Sequence, residues 1–73
     1  MMFAKGDLVY VPQSVILYGL GENSLMINKK PSLGLFVHYT DDGYSKVILN
    51  GQSWLIKSRE IYLNDRGGKN NAC

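Results

Sequence analysis

Few side chains in this 73-residue sequence combine the type and spacing that chemistry requires. His38 is the single histidine, Asp41 and Asp42 follow it closely, and Cys73 is the single cysteine, at the last position. A transition-metal site needs three or four such donors converging on one point. A general base needs to lie within hydrogen-bond reach of the proton it takes. Asp41-Asp42-Gly43 is more simply explained as a tight turn, where short carboxylate side chains bond nearby backbone and glycine supplies positive φ. His38 then reads as a strand residue facing solvent or a partner. Gly19-Leu20-Gly21 lacks the Gly-Lys-Ser/Thr and following helix of a phosphate loop. Ser14, Ser24, Ser45, Ser53 and Ser58 have no base and acid at a recognisable spacing. Cys73 falls in a polar tail, where a nucleophile has nothing to activate it. The sequence predicts a non-enzymatic protein with no catalytic residue, no metal site and no cofactor.

The elements that position these residues have a period of two, and no helical spacing of apolar residues is present. The expected strands are Leu8–Val11, Leu33–Tyr39, Tyr44–Leu49, Gln52–Lys57 and Ile61–Leu63. Lys5-Gly6-Asp7 is a turn, Pro12 ends the first strand, and Asn50-Gly51 suits a type I′ hairpin in which both residues take positive φ. Ser58-Arg59-Glu60 has the length of one 3₁₀ turn. Residues 13–32 read as one long loop, within which Val15–Tyr18 and Leu25–Asn28 could pair as short strands. From residue 65 the chain has no large apolar side chain and reads as a flexible tail. One domain over residues 1–64 and a tail over 65–73 follow.

Composition agrees with a globular chain: 45% hydrophobic and 19% charged residues, mean hydropathy −0.12. No apolar run is long enough to span a bilayer, and no signal-peptide pattern is visible. A single cysteine excludes an internal disulfide, which suits a cytoplasmic setting. The net charge of +2 is too small for the clustered basic footprint of a dedicated nucleic-acid protein.

Alternation predicts an inward set of Val9, Val11, Leu35, Val37, Val47, Leu49, Trp54, Ile56, Ile61 and Leu63. Tyr10, Phe36, His38, Tyr44, Lys46, Ile48, Leu55 and Tyr62 fall on the opposite face. Five short strands without a covering helix bury their apolar side best in a small bent barrel. Trp54 is expected to anchor that core, the alternative being a ligand platform. The outward Tyr10, Phe36, His38, Tyr44, Ile48 and Leu55 form the candidate partner-binding face, because aromatic residues are enriched at interfaces. Either the loop 13–32 folds across this face, with Leu17, Leu20, Leu25, Met26 and Ile27 completing the core, or those aliphatics form a second adhesive surface. Lys46, Lys57 and Arg59, with Tyr44 beside them, are the nucleic-acid candidates, diluted by Asp41, Asp42 and Glu60.

A strand, a long loop, three hairpin-joined strands, a 3₁₀ turn and a last short strand follow one another in the order of an SH3-like barrel. The segments Gly6–Pro12, Lys30–Leu35, Tyr44–Val47, Gly51–Ile56 and Glu60–Leu63 together resemble the small SH3-like barrel proteins encoded by tailed bacteriophages, notably those of marine cyanobacteria. The opening Gly6-Asp7-Leu8-Val9-Tyr10-Val11 also resembles KOW and Tudor-like barrels, although some twenty residues separate it here from the next Gly-containing strand. The peptide-binding signature of eukaryotic SH3 domains, an Ala-Leu-Tyr-Asp-Tyr stretch with an acidic first loop, is missing. The phage resemblance implies a five-stranded barrel in the host cytoplasm or the virion, and it carries no known activity. The expected function is a protein-interaction or structural module binding a virion or host protein, with self-association as a further route. The alternative is weak, salt-dependent nucleic-acid binding; no membrane partner is expected.

Overall fold

The structure is a computed structural model that describes residues 3–19 and 25–64. The described residues are all-β apart from one 3₁₀ turn. The strands are β1 (Leu8–Val11), β2 (Ile16–Gly19), β3 (Leu25–Ile27), β4 (Ser32–Tyr39), β5 (Tyr44–Leu49), β6 (Gln52–Lys57) and β7 (Tyr62–Leu63), with the 3₁₀ turn at Ser58–Glu60. All pairings are antiparallel within one seven-stranded sheet of order β3-β2-β6-β5-β4-β1-β7. The expected tail 65–73 and the loop residues 20–24 lie outside the described residues.

Two expectations are corrected. Among the described residues there are seven strands, not five, because the two short segments that could pair within the long loop do so as the β2–β3 hairpin, Ile16 opposite Ile27 and Tyr18 opposite Leu25. The sheet is also not closed into a barrel: β3 and β7 stand at its two ends. The physical reason lies in the pairing of the ends. The β2–β3 hairpin joins the sheet through β2, with Tyr18 and Gly19 opposite Leu55 and Trp54 of β6, while β7 adds to β1. The core is nevertheless shielded, with Val9, Val11, Val47 and Ile56 fully buried on strands spread from β1 to β6. A flat single layer would leave these side chains in water, so the sheet is coiled about its inner face.

The turns behave as their residues dictate. Gly6, Gly43, Asn50 and Gly51 all have positive φ, the last two as a type I′ hairpin requires. The Gly6 and Asp7 turn is tied to β4 by Gly6 N–H donating to Phe36 O and Phe36 N–H donating to Asp7 O, both at 2.9 Å. Ser14 also takes positive φ, at 75°, at the corner leading into β2.

The largest departure is the phase of β4. Alternation placed Leu35 and Val37 inside and Phe36 outside. Instead Phe36 is buried at 3% exposure, Leu35 is exposed and Val37 is half-buried. Register explains this, since Val9 faces Gly34 and Val11 faces Ser32, so the inner face of early β4 carries Ser32, Gly34 and Phe36. A side chain at residue 34 does not fit: a Cβ there would lie 2.6 Å from Val47 Cγ1 and 2.9 Å from Ile48 O. Glycine is therefore the residue that lets β4 and β5 approach closely as the sheet bends. A bulge between Phe36 and His38 then shifts the register, so His38 opposes Lys46 and Tyr39 opposes Ser45. Phe36 and His38 consequently lie on opposite faces. Leu63, expected inside, is exposed because β7 is an edge strand. The expected inward set of β1, β5 and β6, including Trp54 in the core, is buried.

Candidate functional site

The outer face of the sheet is built by cross-strand pairing. Tyr62 of β7 opposes Tyr10 of β1, which opposes Leu33 of β4. In the neighbouring row, Leu8 of β1 opposes Leu35 of β4, which opposes Ile48 of β5. These six side chains are all exposed, from 37% for Tyr10 and Ile48 to 57% for Tyr62. The Tyr10 and Tyr62 rings lie 6.5 Å apart and tilted by 40°. The hairpin expected to fold over this side does not cover it. Leu17 enters the core, whereas Leu25, Met26 and Ile27 of β3 remain exposed and, with Lys29, line a groove of their own of about 580 Å³. Leu20 lies outside the described residues.

Of the six expected partner-binding residues, Tyr10, His38 and Ile48 are exposed, while Tyr44 and Leu55 are half-buried. Phe36 is removed from the site, because its ring is core: it packs 4.7 Å from Tyr39 and 5.3 Å from Phe3, centroid to centroid. His38 stands apart from the apolar rows, its Nδ1–H donating to the Tyr39 carbonyl at 3.0 Å. Leu8, Leu33, Leu35 and Tyr62 join the face. The alternation of β1 already implied Leu8, and that of β7 implied Tyr62. Leu33 and Leu35 were hidden because a row of leucines looks like core when the competing row is Ser32 and Gly34.

The cationic candidates do come together. Tyr44 opposes Lys57 and Lys46 opposes Leu55, so Tyr44, Lys46 and Lys57 share the outer surface of β5 and β6. Tyr18 packs edge-on against Tyr44 at 5.5 Å. Arg59 lies beyond, in a cleft of about 550 Å³ lined by Asp42, Gly43, Tyr44, Lys57 and Ser58 as well. A second cleft of about 580 Å³ shares Ser58 and Arg59 and is otherwise lined by Phe3, Tyr39, Ile61, Tyr62 and Leu63. Tyr39 is fixed there by accepting a hydrogen bond at its hydroxyl from Phe3 N–H, at 2.6 Å. Asp42 lines the first cleft with Lys57 and Arg59, so its charge opposes their field.

Two buried polar groups hold the frame, and nothing in their local sequence marks them. Asn28 anchors the β2–β3 hairpin to the end of β1: its Nδ2 donates to Val11 O (3.1 Å) and Pro12 O (2.9 Å). Its main chain closes the hairpin base with Val15 and Ser14. Ser45, fully buried, shares a 2.6 Å hydrogen bond with Ser58 and so fixes the 3₁₀ turn that walls both clefts.

Among the described residues, no three His, Cys, Asp or Glu side chains gather as metal ligands, and no helix is long and apolar enough to cross a membrane. No protein-family model, curated protein or solved structure matches this chain.

Proposed function

We propose that this protein is a non-enzymatic interaction module that binds a protein partner through the outer face of β7, β1, β4 and β5. The observation carrying this reading is the unbroken pair of rows Tyr62–Tyr10–Leu33 and Leu8–Leu35–Ile48. A contiguous exposed apolar patch on a small protein marks an interaction surface, whereas isolated apolar residues need no explanation. The resemblance to phage barrels supplies the setting, a virion component or a host protein. The test compares capture from infected-cell extract and from purified particles by the wild type and by a Leu33→Arg/Tyr62→Ala variant. A partner retained by the wild type and lost by the variant supports the reading. A partner held equally by both places binding elsewhere and refutes it.

The grouping of Tyr44, Lys46 and Lys57 favours a second reading, weak binding of single-stranded nucleic acid by stacking and phosphate contact. That reading expects retention of an oligonucleotide that falls steeply with salt and is lost in Lys46→Gln/Lys57→Gln.

A further inference from the structure

We infer that the partner covering this face is a second copy of the same chain, packed face to face about a two-fold axis. The inference rests on the docking face proposed above and names its occupant. Area is the first argument. Taking about 200 Å² for each Leu or Ile and about 250 Å² for each Tyr, the exposures of the six side chains sum to roughly 600 Å². That is on the order of an eighth of the 4810 Å² accessible surface. A stable interface takes about 800 Å² from each partner, near a tenth of a small protein's surface. The six side chains supply roughly three quarters of that area, and about 200 Å² of polar rim around them would complete it.

Composition is the second argument. The six positions carry no charge, and their only polar atoms are two tyrosine hydroxyls. Interfaces that open and close with foreign partners are about as polar as the rest of a surface, whereas homodimer interfaces are more apolar. Lys46 and Lys57 sit farther along β5 and β6, Lys46 at the border of the apolar rows next to Ile48. Nothing within the patch selects a partner of opposite charge, so the surface it matches best is another apolar sheet face.

Symmetry is the third. Leu35 is central, flanked by Leu8 and Ile48 across the strands and by Leu33 along β4. An axis near Leu35 lays aliphatic rows on one another, as aligned sheets pack. The Tyr10 and Tyr62 pair then lies at the rim, with its hydroxyls able to reach water. An isologous contact of this kind closes at two chains and leaves no open end for polymerisation.

The experiment is sedimentation equilibrium of the full chain from about 1 to about 500 μM, a span that covers affinities weaker than micromolar. The expected result is a dimer whose dissociation constant rises about a hundredfold or more in Leu35→Arg, because two guanidinium groups are then buried against each other. Leu33→Arg, at a more exposed position, is the second variant should Leu35→Arg fail to fold; Trp54 fluorescence reports folding. Leu25→Arg on β3 is the control and is expected to leave the dimer intact. A wild type that stays monomeric throughout overturns the inference, as does a dimer dissociated only by Leu25→Arg. If the wild type is monomeric while Leu33→Arg/Tyr62→Ala still loses a captured protein, the second copy is excluded and the docking face stands. If the wild type is monomeric and capture is indifferent to that variant, both fall.

Discussion

Replacing Asn28 by aspartate changes almost no volume and reverses the hydrogen-bond character of one buried atom. In the native protein Asn28 Nδ2 donates to the Val11 and Pro12 carbonyls at 3.1 and 2.9 Å. The substitution removes both donors and sets a carboxylate oxygen against two carbonyl oxygens at a site only 6% exposed. The Pro12 carbonyl loses its donor, the Val11 carbonyl loses one of its partners beside the ladder pairing with Ser32, and a charged oxygen is buried against both, together costing roughly 3–4 kcal/mol. A domain of this length has a total stability of about 4–10 kcal/mol. Asn28→Asp is therefore expected to lose a third or more of it. The cost carries a pH signature. Burial and the facing carbonyls raise the folded-state pKa of the introduced carboxyl above its unfolded value of about 3.9. The folded variant then holds its proton to higher pH than the unfolded chain, so the deficit is smallest in acid and grows as pH rises from the unfolded toward the folded pKa. Urea unfolding followed by Trp54 fluorescence, at pH 7 and near pH 4 beside the wild type, measures both effects. A loss under about 1 kcal/mol at pH 7, or a deficit that does not narrow in acid, refutes the assignment of Asn28 as the clasp between hairpin and β1.

Gly34→Ala forces a methyl group against Val47 Cγ1 and Ile48 O; a cost of about 1–3 kcal/mol, read as a fall in melting temperature of roughly 5 °C or more, is expected. An unchanged melting temperature would show that β4 and β5 are not in close approach there. Ser45→Ala removes one side of the 2.6 Å bond to Ser58 and is expected to cost about 1 kcal/mol, with Ser45→Ala/Ser58→Ala costing less than the sum of the single changes. Strict additivity in that cycle would argue against the bond. Ser14→Gly relieves a positive φ of 75° and is expected to be neutral or stabilising by up to about 1 kcal/mol; calorimetry showing a clear loss would mean that the Ser14 side chain does more than tolerate its conformation.

The local chemistry of the chain settled the position of five of the strands, the turns and much of the core. Period-two patterning is a property of neighbouring residues, so β1, β5 and β6 took their faces directly from Val9 and Val11, Val47 and Leu49, and Trp54 and Ile56. The positive φ of Asn50 and Gly51 likewise follows from what those two residues tolerate. Tertiary structure decided whatever depended on an approach between distant segments. Only the pairing of β1 with β4 shows that Gly34 opposes Val9, so that an absent side chain points inward while Leu33 and Leu35 turn out. Only the bulge after Phe36 separates Phe36 from His38. The proposed docking face was thus half legible: Tyr10 and Ile48 came from alternation within their own strands, but Leu33 and Leu35 depended on steric room beside Val47. Hydrophobicity alone ranks leucine above glycine for a core position, and close packing of two backbones reverses that order.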